Sequence, residues 1–506
     1  MLQVFAQQPF ERFYLANGSP QFNLIELASG NLFIGLGGPA VVNPNGNILH
    51  SSYNTGSGIL SMAAVQRHSD NEYFFVAGRL LNGHIYPLIG RMDSLGNGSA
   101  IRQYELNGPD GPYFPSDLEI LDNKSIIAWG GPGKFFALKV DSTGTPVWSK
   151  NFNHRGGVQF IRELPGGDVL AGFNMDTTGA VVARMNSNGD FVWCKSYIRP
   201  RGLVTDCLIE SDDSFIITGF TDSIASTDIF TPLPPDYQPK LFMMKLDGTG
   251  EVQWCKGYGN AYTWYSRDGA HIVQAQDGNY VVLADLGYAD YNRWYRPFLM
   301  KTDGNGDTLW TRSMGRANYQ YEVNTLVAHS NGGYLYSGVI WGDLPDGHAN
   351  ASYLFKTDTL GHLPCWEQSH PGEVLDLFPV DSSFAMSWIE GATVGSVLGQ
   401  NVINGALPTY DGCTFITGMT PTIQKGQKFK VLPNSNTGRF VMTFQDPLVA
   451  DSYYSVYDAM GKLLLQRAAA HGKKTEEVDL SRYGAGTYVI KFTDPEGTCY
   501  ERVVVE

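Results

Sequence analysis

Charge is scarce in this chain. Only 17% of its 506 residues are Asp, Glu, Lys or Arg, which leaves little material for long solvated helices. The charge present leans acidic, with 36 basic against 50 acidic side chains and a net charge of −14. That sign disfavours nucleic acid and anionic membrane as partners. No apolar run approaches the roughly 18 residues of a spanning helix, so the chain is not expected to cross a membrane. Cysteine is sparse too: Cys194, Cys207, Cys255, Cys365, Cys413 and Cys499, none in a C-x-x-C pair, which leaves a zinc or thioredoxin-like site without support. Catalytic signatures are also missing. There is no His-Glu-x-x-His, no Gly-x-Ser-x-Gly elbow and no phosphate-binding glycine loop. The chain is therefore not expected to be an enzyme, and no cofactor is expected.

Glycine, at 58 residues, and aromatic residues, at 13%, are plentiful. Both suit an all-β protein with many tight turns, because glycine supplies the positive φ of hairpins. The organising feature is a repeated turn and strand. Four copies read Asp141-x-x-Gly144-x-x-x-Trp148, Asn186-x-x-Gly189-x-x-x-Trp193, Asp247-x-x-Gly250-x-x-x-Trp254 and Asp303-x-x-Gly306-x-x-x-Trp310. Three more change the aromatic: Asn43/Gly46 with His50, Asp93/Gly96 with Ala100, and Asp358/Gly361 with Cys365 beside Trp366. A basic residue stands two before the Asp/Asn in six copies (Arg91, Lys139, Arg184, Lys245, Lys301, Lys356). The period of 45 to 61 residues, filled with short strands, predicts a seven-bladed β-propeller, eight blades remaining open, followed by a small C-terminal β-sandwich. Within a repeat, Leu164-Pro-Gly-Gly-Asp-Val-Leu-Ala-Gly172 reads as one hairpin, and Phe298 to Trp310 reads as the other. Asp303-Gly-Asn-Gly-Asp307 has the oxygen spacing of a calcium loop, but Asp, Asn and Gly are equally the residues of a tight turn. The Trp of each copy is expected to fill the wedge between blades with its indole N–H bonded to backbone.

These copies are similar to the tryptophan-docking repeats of quinoprotein-type propellers. They depart by one residue less between Asp and Gly and by the lack of a Thr before the Gly, so the likeness bears on fold and not on chemistry.

Both ends differ from the repeats. Residues 1–6, Met1 to Ala6, read as a remnant of a secretory signal peptide, with Val4 and Ala6 at small-residue cleavage positions. The propeller is expected over 7–365. Residues 366–413 read either as a degenerate eighth blade or as an appended β segment bracketed by a Cys365–Cys413 disulfide, and 414–428 as a linker. From 429 to 506 the order Leu432-Pro-Asn434, Gly438-Arg-Phe440, Tyr457-Asp-Ala-Met-Gly461-Lys462, Val478-Asp-Leu480, Gly486-Thr-Tyr-Val-Ile490 and Arg502-Val-Val-Val505 strongly resembles the type A C-terminal sorting domain of Bacteroidetes proteins exported by the type IX secretion system. That resemblance implies the type IX translocon as a partner and a destination outside the outer membrane, secreted or at the cell surface.

Loop lengths point to one face. The links 222–239, 286–297 and 340–352 are long and carry Tyr237, Tyr288, Tyr291, Trp294, Tyr295 and Trp341, with Asp236, Asp290, Asp343 and His348 among them. Neighbouring links add Tyr262, Trp264, Tyr265, Tyr319 and Tyr321. Trp264, Tyr265, Trp294, Tyr295, Tyr319 and Trp341 are the candidate ligand-binding residues. Flat aromatic faces with nearby carboxylates suit sugars, while a surface-protein contact or simple self-packing of the loops would use the same residues. The leading expectation is an adhesin-like binding or structural protein. A polysaccharide-acting enzyme is the alternative, and a quinone- or metal-dependent oxidoreductase a more distant one.

Overall fold

A computed structural model describes residues 9–505 except 15–23, 28, 36–38, 55–58, 70, 96–97, 107–112, 132–134, 153–155, 176–178, 200–201, 222–239, 260–262, 289–294, 316–318, 331, 343–349, 364–366, 370–373, 377–379, 384–385, 387, 391, 399–401, 405–408, 412–428, 433–436, 445–446, 449–451, 459–462, 485 and 495–496. The chain divides into two compact units, Met1–Thr420 and Pro421–Glu506.

The first unit is a β-propeller. Among the described residues it contains seven antiparallel sheets of five strands. Blades one to six are built from consecutive strands spanning 24–54, 59–106, 115–152, 156–199, 202–258 and 263–314. Blade seven takes three strands from 320–356 and its fourth, Phe10–Tyr14, from the start of the chain. The first strand of each blade contacts the first strand of the next, and the series closes on itself between blades seven and one. These first strands therefore surround the axis.

The repeated residues are the joints between blades. Asp or Asn of six of the turns accepts backbone N–H groups two and four residues on, as Asp247 does from Thr249 and Glu251, and this ties the hairpin. The turn glycine has positive φ, +79° at Gly250, and a side chain there would stand 3.0 Å from the Trp193 ring of the preceding blade. Trp193 Nε1 donates to the Gly248 carbonyl at 3.2 Å, and Trp148 Nε1 to that of Ser187 at 3.1 Å. In blades three and four the basic residue two before the Asp/Asn donates to the same carbonyl, Lys139 to Ser187 and Arg184 to Gly248, whereas Lys245 and Lys301 pair with Glu210 and Asp277 of their own blades. Four residues past the aromatic, Tyr197 and Tyr258 donate to Gly250 and Gly306 of the next turn at 2.7 Å. Two residues past it, Lys195 and Lys256 pair with Glu251 and Asp307. Each copy is thus a plug for the turn that follows. Asp307 belongs to this interlock, and Asp303–Asp307 is a hairpin turn. Among the described residues no group of His, Cys, Asp and Glu is placed to hold a metal.

The seventh copy corrects the sequence-based register. Phe10 pairs with Lys356 where a repeat Trp pairs with its basic partner, as Trp193 does with Arg184. It lies against Gly46 of blade one, and Tyr14 Oη donates to the Gly46 carbonyl at 2.5 Å. The aromatic expected at Cys365/Trp366 is supplied by the N-terminal strand, because a ring of blades has to be closed by joining its two ends.

A second correction concerns residues 366–413. Their described strands form no sheet of their own. Glu367–Ser369, Val374–Asp376, Val380–Ser383, Trp388–Glu390, Ala392–Leu398, Val402–Asn404 and Thr409–Asp411 are the fifth strands of blades six, five, four, three, two, one and seven, in that order. One segment encircles the propeller against the direction of the chain. A strand edge left open at each blade is a pairing hazard, and the segment covers part of each one. Cys365 and Cys413, expected to form a disulfide, lie outside the described residues. Cys194, Cys207 and Cys255 are free thiols within the blades.

The second unit is a β-sandwich, with one sheet of Phe429–Leu432, Arg439–Phe444 and Thr475–Asp479. The other comprises Leu463–Ala468, Tyr453–Asp458, Gly486–Asp494 and Gly497–Val505. Alternate residues of both sheets, among them Phe440, Met442, Val456, Ile490 and Val503, fill its own core.

Candidate functional site

Backbone register brings several sequence-selected aromatics to one end of two neighbouring blades. In blade six, Trp264 and Tyr295 pair with Gly287 from either side, so the two residues share one row of the sheet with a glycine between them. Tyr265 follows in the next row, opposite Leu286. In blade seven, Gln320 pairs with Trp341, which sets Tyr319 at the same end of that sheet. Blades six and seven adjoin through their first strands. The side chains of Trp264 and Tyr265, and Trp294 altogether, lie outside the described residues, as do Asp236, Tyr237, Tyr262, Asp290, Tyr291, Asp343 and His348.

Three of the candidates have described side chains. Tyr295 is half-buried. Tyr319 is half-buried and packs against the core between blades six and seven. Trp341 packs against the core between blades seven and one, with its indole N–H shielded and unpartnered among the described residues. Tyr321, by contrast, is fully buried and belongs to the core.

A second constellation lies around the axis, and the sequence reading did not single it out. Asp117, Asp206 and His271 occupy equivalent places on the first strands of blades three, five and six, each opposite the fourth residue of the adjoining strand (Trp129, Thr218 and Leu283). Arg162, on the first strand of blade four, bridges two of them, at 3.9 Å from Asp117 Oδ2 and 2.8 Å from Asp206 Oδ1. Asp206 Oδ2 is 3.8 Å from His271 Nδ1 and accepts the Ile272 N–H. Glu119 accepts a hydrogen bond from Gln66 of blade two at 3.0 Å. Bulges aim these residues, since the first strand shifts register just before Asp117 and just before Asp206. The bulge of blade five is clamped by Asn174 of blade four, which bonds Val204 at both its N–H and its carbonyl. Asp285 of blade six holds Val323 of blade seven in the same way through its N–H.

The two aspartates diverge in acidity. Burial pushes the Asp117 carboxyl up to about 6, with Arg162 opposing. Burial works against Asp206 too, but the Arg162 guanidinium and His271 outweigh it and hold that carboxyl below the usual range. In sequence these residues looked like ordinary polar positions of alternating strands. Only the ring brings four of them together, and no local motif announces that.

Comparisons with known proteins add the following. Residues 430–506 match the family described as the secretion system C-terminal sorting domain. The chain therefore carries a type IX sorting domain, and the protein is exported, secreted or at the cell surface. No helix is long and apolar enough to cross a membrane among the described residues. No curated protein matches the chain. Among solved structures it is similar to hydrazine synthase of Kuenenia stuttgartiensis, at 11% identity over 55% of this chain and 79% of that one, with a TM-score of 0.40. It is also similar to a GH93 α-L-arabinofuranosidase of Fusarium graminearum, at 9% identity over 60% and 94%, TM-score 0.36. A third is the PQQ domain of pyranose dehydrogenase from Coprinopsis cinerea, at 10% identity over 68% and 94%, TM-score 0.32. Likeness this remote carries no argument about activity.

Proposed function

We propose that this protein is an exported propeller that binds a glycan at the end of blades six and seven, in the manner of an adhesin. The observation that supports this reading is the shared row of Trp264, Gly287 and Tyr295 in blade six, with Tyr319 and Trp341 at the same end of blade seven. Aromatic residues suit the C–H faces of a sugar ring, and the glycine between these two positions adds no side chain of its own. Binding of the full chain to a glycan array tests it. Tyr295→Ala is expected to weaken the best glycan by roughly tenfold, about 1.4 kcal/mol, with an unchanged thermal midpoint. Equal binding by wild type and Tyr295→Ala, or no glycan bound at all, would contradict it.

One observation favours a second reading, a polysaccharide-acting enzyme. Asp117 keeps its proton to about 6 while Asp206, tied to the same guanidinium, is held ionised, the divergence that a general acid and its partner carboxylate require. Release of reducing ends from any bound glycan, abolished by Asp117→Asn, would decide for it.

A further inference from the structure

The encircling segment 367–411 supplies none of the residues proposed above for binding, and its described strands repeat one geometry. Its strands meet the fourth strand of every blade at the same place. The residue two beyond the repeat aromatic is paired in all seven: Arg312 with Ser369, Lys256 with Asp376, Lys195 with Ser383, Lys150 with Glu390, Arg102 with Val397, Ser52 with Asn404 and Arg12 with Asp411. Between its strands on blades four and three, Met386 is buried in the core that those two blades share. Ala392 packs against the core of blades two and three. The last strand, Thr409–Asp411, pairs with Phe10–Tyr14, whose other edge pairs with Asn350–Lys356. The strand that closes the ring is thus held on both sides.

We infer that residues 367–411 are a docked strap, held on the propeller by seven repeated short pairings, which locks the ring-closing N-terminal strand in place. Five of the seven strands are three residues long and one is four, so each pairing alone is weak. Tethering makes the later pairings intramolecular, and many weak contacts then hold as one strong one. Breaking a single pairing loosens one blade edge. Losing the whole strap frees the outer edge of Phe10–Tyr14, and with it the joint between blades seven and one.

The test uses the full chain with one site-specific protease site placed in 364–366 and another in 412–420. After both cuts the strap is expected to co-elute with the propeller in gel filtration without denaturant, and the Phe10–Tyr14 amides to keep their slow hydrogen exchange. Stripping the strap in mild denaturant and returning to buffer is expected to abolish protection at Phe10–Tyr14 while first-strand amides of blades three to six stay protected. Separation of the strap without denaturant, or protection of Phe10–Tyr14 that survives its removal, would overturn the inference. Should the doubly cut protein unfold, uncut Leu375→Pro and Ser382→Pro serve instead, since proline removes a backbone donor. Faster exchange is expected only at Lys256–Tyr258 and Lys195–Tyr197 respectively. No local change in either variant would equally overturn it.

Discussion

Asp117 and Asp206 occupy equivalent positions in two blades, yet their carboxyls move in opposite directions, and neighbours alone account for it. Asp206 has Arg162 at 2.8 Å, whereas Asp117 has the same guanidinium at 3.9 Å, too far to offset burial. The consequence for stability has a definite sign. With a folded pKa of about 6 against 3.8 for the ordinary group, the native state binds more protons than the unfolded chain between those values. Stability contributed by this site is therefore complete below about 4 and lost as pH rises through about 6. Asp117→Asn removes that dependence. Relative to wild type the variant is expected to gain about 1 kcal/mol between pH 4 and pH 7, reduced from the full shift because a third of the side chain is exposed to solvent. Guanidinium unfolding at the two pH values measures it, and a difference that shrinks with rising pH would mean Asp117 is ionised in the fold. Nothing in the sequence separated these two aspartates, since the distinction depends on Arg162 from the blade between them.

At the scale of the element, the turn and strand was the most legible part of the chain. Asp/Asn, Gly and Trp were read as turn, positive φ and wedge, and the structure places them so. The spacing did not show that other repeated residues also reach for the following blade, the leading Lys139 and Arg184 among them, while Lys245 and Lys301 pair with carboxylates of their own blades. Nor did it show that Phe10, some 350 residues from the seventh turn, fills the missing seventh place, because ring closure leaves no local trace. The encircling segment was illegible for the same kind of reason. Strands of three residues carry almost no period, and each finds its partner only through an edge built elsewhere. The interlock predicts an effect for one joint. Trp193 is half-buried, so Trp193→Ala is expected to cost about 2–3 kcal/mol, combining lost packing over Gly250 with the lost bond to Gly248. Trp193→Phe keeps the ring and should cost about 1 kcal/mol. Thermal midpoints in that order check it, and an unchanged midpoint for Trp193→Ala would put the ring in solvent.

For the whole molecule, the two units divide the work. The propeller carries the axial network, and the sandwich carries the address. The address was readable from sequence because its residues recur in order over a whole small domain. No ligand was readable, because the candidate residues, among them Trp264, Tyr295 and Trp341 at strand ends, come from separate strands and share no ordered local signature. The division makes a direct prediction. The sandwich has its own core, and the chain separates into compact units at Thr420. In a host with a working type IX system, the full chain is expected outside the cell. A chain ending at Thr420 is expected to remain in the periplasm with a propeller melting transition like that of the full protein. Immunodetection of both chains in culture medium, on the cell surface and in periplasm is the deciding measurement. Retention of the truncated chain in folded form is the result this account predicts, and its appearance outside the cell at the level of the full chain would contradict it.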